Sequence, residues 1–87
     1  MRVIKYPLSY GFNKIEIQPN KALFLSYLDF QGADLYGWFT EQDDPEFDQE
    51  IEIWIAHTGE EIPQKYTWYL GTAQTYNRGY YVVHAFQ

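Results

Sequence analysis

From Gln49 to His57 polar and apolar residues alternate almost without fault, so an extended chain carries Ile51, Ile53, Ile55 and His57 on one face and Glu50, Glu52, Trp54 and Ala56 on the other. This predicts a half-buried β-strand around which the rest of the chain is arranged as sheet. Upstream, residues 2–8 alternate as well, and Pro7, which lacks an amide proton, predicts an edge strand. Ser9 to Asn13 reads as a turn, residues 14–18 as a strand with Ile15 and Ile17 inward, and Pro19-Asn20 as its stop. Ala22 to Phe30 is apolar on both parities and predicts a strand buried on both faces. Leu35 to Thr40 follows as the second arm of a hairpin, in which Gly37 marks a bulge or a close packing neighbour.

Residues 41–48 then read as an acidic loop leading into the central strand, and Thr58 to Pro63 as the turn leaving it. A sixth strand is predicted over residues 66–70 and a polar loop over 71–79. In the last strand, residues 80–86, Tyr81, Val83 and Ala85 share one face and Tyr80, Val82, His84 and Phe86 the other. Seven short strands with turn signals about every ten residues predict an all-β domain spanning 1–87, a small antiparallel β-sandwich or barrel with no helix.

Composition changes this picture in three ways. An 87-residue chain has room for one core, which hides roughly 60–65% of the surface the unfolded chain exposes. Nine Tyr, six Phe and three Trp are more ring than such a core accommodates, so several rings are expected at the surface, where Tyr and Trp favour protein contacts. The absence of cysteine excludes disulfides and thiolate metal sites and predicts a reducing, cytoplasmic setting. Neither a signal peptide nor a run of about 20 apolar residues is present, so no membrane partner is expected. Twelve acidic against six basic residues give a net charge of −6, which repels nucleic acid and favours basic protein surfaces.

The candidate chemistry is that of binding. Asp43, Asp44, Glu46, Asp48, Glu50 and Glu52, with Trp54, form an acidic and aromatic stripe whose like charges call for an answering cation, and a partner's Arg and Lys would supply it. The bland alternative is a solvated loop that keeps a sheet edge soluble. Arg78, flanked by Tyr76 and Tyr80, together with Lys65, forms a second candidate set suited to an anionic nucleotide. His57 and His84 with Glu60 or Glu61 could hold zinc in principle, but two structural histidines are the commoner arrangement and no metal or other cofactor is expected. With two serines, no thiol and no Gly-x-Ser-x-Gly elbow, the chain offers no nucleophile, and an enzyme is not expected.

Lys5-Tyr6 with Leu8, Ile15-Glu16-Ile17 before Pro19, Leu35 to Phe39, Thr58-Gly59 before Ile62-Pro63, Leu70-Gly71-Thr72 and the closing Val83-His84-Ala85-Phe86 together resemble an uncharacterised family of short phage and bacterial all-β proteins of unknown function. The resemblance runs over nearly the whole chain. It implies a small protein of phage or prophage context, acting in the host cell cytoplasm, and brings no activity with it. The expected function is therefore a non-enzymatic binding protein that engages and inhibits a host protein with a basic surface, as an anti-defence or anti-CRISPR factor does. The alternative is an oligomeric sponge that sequesters a small nucleotide signal. Exposed strand edges and surplus aromatic surface further predict a two-fold homodimer.

Overall fold

Alternation is converted into strands over most of the chain. The structure, a computed structural model, describes residues 1–44, 50–76 and 81–87. It contains β1 (Arg2–Leu8), β2 (Gly11–Ile15), β3 (Lys21–Gln31), β4 (Asp34–Asp43), β5 (Ile51–His57), β6 (Tyr69–Thr75) and β7 (Tyr81–Phe86). They form two antiparallel sheets, a three-stranded one in the order β1-β4-β3 and a four-stranded one in the order β2-β5-β7-β6. The arrangement is a sandwich, and no helix occurs among the described residues. As expected, β1 is an edge strand and β5 is flanked on both sides, by β2 and β7.

The core fills the space between the sheets. Leu8, Leu23, Leu28, Leu35 and Phe39 project from the first sheet, and Ile15, Ile51, Ile53, Ile55, Ala73, Val83 and Ala85 from the second. Phe39, Ile53, Ile55 and Val83 are wholly enclosed. The apolar face predicted for β5 is thus the core face. Burying each such side chain contributes about 1.5–3 kcal/mol. Gly37 proves to be a close packing neighbour: a Cβ there would lie 2.8 Å from Phe39 Cε2, 3.0 Å from Leu25 Cδ1 and 3.1 Å from Leu8 Cδ1.

Four local expectations are corrected. The second strand occupies Gly11–Ile15 rather than residues 14–18. Gly11, at φ +79°, starts it immediately after Ser9-Tyr10. Asn13 ties the corner by accepting from the Ser9 amide (2.8 Å) and donating to the Ser9 carbonyl (2.7 Å), so its turn chemistry is used from inside a strand. The third strand is not buried on both faces, because Phe24 and Tyr27 stand 52% and 59% exposed. The pairing with β4 shifts between Leu25 and Tyr27, and this bulge at Ser26 places both rings outward at a spacing of three while Leu25 and Leu28 stay inward.

The acidic segment begins as strand: β4 continues through Asp43, and Glu41 is buried and accepts from Arg2 Nε at 2.9 Å. The sixth strand lies at Tyr69–Thr75 rather than 66–70. Gly71 and Thr72, which resemble turn residues, lie within the strand, where Gly71 follows a shift of register against β7 and Thr72 pairs with His84. The remainder of the expected acidic loop, from Pro45 to Asp48, the first residue of the expected central strand, Gln49, and the Asn77-Arg78-Gly79 turn with Tyr80 lie outside the described residues.

Candidate functional site

The outer face of β5 carries Glu52 and Trp54, opposite the three core isoleucines, and Glu50 precedes them on the same parity. Its neighbours are set by register: Phe12 pairs with Trp54 and Lys14 with Glu52 on β2, while Phe86 of β7 pairs with Trp54 and, on its other side, with Tyr69 of β6. A row of four rings, Phe12, Trp54, Phe86 and Tyr69, therefore crosses the whole sheet. Beside it lies the carboxylate row.

Residues 58–68 carry the chain from β5 over β7 to the parallel β6, and they do so across this outer face. Thr58 Oγ1 meets His84 Nε2 at 2.8 Å, Tyr66 packs on Trp54 with ring centroids 5.5 Å apart, and Trp68 exchanges backbone hydrogen bonds with Gln87 (3.0 and 2.8 Å). The crossover explains why Ala56, predicted to face outward, is buried, and why Tyr66 is buried too. It also delivers Lys65 to Glu52.

The result is a recess of about 410 Å³ lined by Glu50, Glu52, Lys65, Tyr66 and Gln87. Glu52 Oε2 accepts from Lys65 Nζ at 2.7 Å and from the Tyr66 hydroxyl at 3.4 Å. Hydrogen bonding to Lys65 holds the Glu52 carboxyl below the usual glutamate range, with partial burial opposing and the Lys65 charge and Tyr66 hydroxyl assisting. The same bond raises Lys65 above the ordinary lysine value. Lys65 Nζ also lies 5.1 Å from the Tyr66 ring centroid and 5.9 Å from that of Phe12, within cation–π range. Glu50 Oε2 pairs with Lys14 Nζ at 3.0 Å, which raises Lys14 in turn. Two carboxylates, flanked by aromatic faces, thus each hold an ammonium group of the chain itself.

Of the residues singled out from sequence, the structure joins Glu50, Glu52 and Trp54 with Lys65, which belonged to the other candidate set. Asp43 is elsewhere, in an ion pair with Lys21 that lowers its carboxyl and raises the lysine. The Asp44 amide donates to the Asn20 carbonyl at 2.9 Å. Glu46, Asp48, Arg78 and Tyr80 lie outside the described residues. Tyr76 follows the end of β6 that pairs with Tyr81, the end of the sheet away from Lys65 and Glu52.

His84 spans two threonines, with Nδ1 2.9 Å from Thr72 Oγ1 and Nε2 on Thr58, and Thr72 pairs in addition with the Tyr69 hydroxyl. In a neutral imidazole one nitrogen donates and the other accepts, so the ring is fully satisfied as a clasp between β6, β7 and the crossover. His57 stacks on Tyr10 at 4.3 Å. Among the described residues no three His, Asp or Glu side chains are grouped as a metal would require. Sequence reasoning missed Lys14 and Tyr66. Lys14 shares the parity of Phe12 once β2 is placed correctly; nothing local marks Tyr66.

The fold defines a seven-stranded antiparallel β-sandwich whose four-stranded sheet bears an acidic and aromatic outer face beneath a crossover. The chain belongs to the family described as Domain of unknown function (DUF7352), whose model matches residues 1–87. No curated protein and no solved structure matches it.

Proposed function

We propose that this domain is a non-enzymatic binding protein of phage or prophage origin that engages and inhibits a host protein, within the host cytoplasm, by taking a basic side chain into the recess at Glu50 and Glu52. The observation that carries the reading is the occupancy of those carboxylates by Lys14 and Lys65 beside the Tyr66 and Phe12 rings. Both lysines are exposed and their pairs are weak. A partner's arginine gains more in the same place, because its planar fork meets a carboxylate through two hydrogen bonds and lies flat on an aromatic ring. The charge of −6 assists by accelerating the encounter with a basic surface.

The test compares capture from a bacterial lysate by the wild-type domain and by a Glu50→Gln/Glu52→Gln variant, at about 50 and 500 mM salt, where exposed charges are screened over roughly 14 and 4 Å. A partner retained only by the wild type, and released by salt, supports the reading. A titration with an arginine-rich peptide, followed by tryptophan fluorescence and NMR shifts at Glu52, locates the contact. A captured protein that ignores both the substitutions and the salt moves the site elsewhere, and a wild type that captures nothing and leaves the peptide unbound overturns the proposal.

A further inference from the structure

The crossover between β5 and β6 is pinned near both ends. Thr58 meets His84, Glu60 accepts from the His57 amide at 3.2 Å, and Trp68 is bonded to Gln87. Between those pins it is nearly bare: over residues 61–67 only Tyr66 is buried, Ile62 is half-buried and the rest are exposed. The polar and ring contacts that tie this stretch to the sheet come from Lys65 and Tyr66, and they converge on Glu52, Trp54 and Phe12. Trp54, on which Tyr66 packs, has its indole nitrogen buried with no hydrogen-bond partner among the described residues. The closed arrangement therefore bears the cost of a donor stripped of water and not repaid.

Resting on the assignment of Glu50 and Glu52 as the seat of a partner's basic side chain, we infer that residues 61–67 are a strap that keeps this seat occupied in the free protein and is expelled when a partner's arginine takes it. Lys65 stands where the incoming cation must stand, against the same carboxylate and the same two rings, and its side chain is 62% exposed, free to swing out without disturbing the core. Because it is tethered, it competes at an effective concentration in about the millimolar range, which holds weak cations off the site. Lys65 does not leave alone. A guanidinium that takes both Glu52 oxygens deprives the Tyr66 hydroxyl, 3.4 Å from Glu52 Oε2, of its acceptor. With Tyr66 lifted, the Trp54 N–H regains water or meets a carbonyl of the bound segment, which offsets part of what exposing Tyr66 costs. The strap is an autoinhibitory contact built from the site's own chemistry.

The probe is a blocked tripeptide with arginine at its centre, titrated by NMR into the wild type and three variants. As the peptide saturates the wild type, the Trp54 indole proton should exchange with water faster, whereas a ligand that merely adds to the surface slows it or leaves it alone. Lys65→Met, which removes the occupant, should bind the peptide about threefold more tightly, the worth of an exposed pair. Lys65→Arg keeps the charge but grips Glu52 with a planar fork, and should bind it more weakly than the wild type. Lys5→Met removes the same charge from the other sheet, where Lys5 reaches Gln31 and Tyr36, and should stay near wild type. Peptide binding without faster indole exchange, Lys65→Met no tighter than Lys5→Met, or Lys65→Arg no weaker than the wild type would each overturn the strap and leave the Glu52 site standing. A peptide bound by neither the wild type nor Lys65→Met removes the site itself, and the strap with it.

Discussion

A carboxylate that accepts two donors behaves differently from a bare surface charge, and Glu52 is the residue at which this can be measured. Its carboxyl is held low by the Lys65 hydrogen bond first and by the Tyr66 hydroxyl in smaller part. A depressed folded-state value means that the pair contributes to stability above the ordinary glutamate range, near pH 4.3, and that this contribution fades as pH falls through the lowered value. The raised Lys65 extends it on the alkaline side until pH rises through that group's own value, so between about pH 5 and 10 it is flat. Carboxyl carbon NMR should find Glu52 titrating below the other exposed glutamates, and Lys65→Ala should return it upward. Titration unchanged by that substitution would show that the bond is not formed in solution. In the core the tolerances are narrower. Gly37→Ala should lower stability by about 1–3 kcal/mol in urea unfolding, because the added methyl meets a fully buried ring and two leucine methyls. Ile53→Asp should unfold the domain outright, since an unpaired buried carboxylate costs several kcal/mol against a total of about 5–10.

Among the elements, β5 was legible from its alternation from Ile51 to Ile55, and the rule fails only at its end, where Ala56 is buried and His57 is not. The strand β3 was legible in extent but not in face, since the bulge at Ser26 breaks the period of two just where Phe24 and Tyr27 would have revealed an open surface. Deleting Ser26 should restore strict alternation with Phe24 and Tyr27 still outward and Leu25 and Leu28 inward, because Leu25 and Tyr27 already pair with the adjacent Phe39 and Trp38, so unfolding followed by circular dichroism should stay cooperative. The site was half legible: the parity of Glu50, Glu52 and Trp54 is local, but the cation that meets Glu52 arrives on a crossover whose path only the sheet order determines. The clasp that pins this crossover can be opened separately. In His84→Ala the Thr58 and Thr72 hydroxyls lose their common partner, and hydrogen exchange should accelerate over residues 58–68 while the β1-β4-β3 amides keep their protection.

For the molecule as a whole, the order of strands in the two sheets has a consequence for how the protein comes into being. The strands β1 and β2 lie side by side in the chain but join different sheets, Arg2 pairing with Glu41 and Gly11 with Ile55. Among the described residues, only the β3–β4 hairpin and the β6–β7 pair unite strands that are neighbours in sequence. Such distant pairings place refolding in the millisecond-to-second range, and stopped-flow tryptophan fluorescence recording a microsecond phase alone would contradict it. On the ribosome the delay is longer still. At about 5–20 residues per second, the first fifteen residues wait seconds for strands not yet translated, with Tyr6, Leu8 and Ile15 uncovered. A nascent chain in that condition carries apolar side chains in water until the strands that cover them have been made.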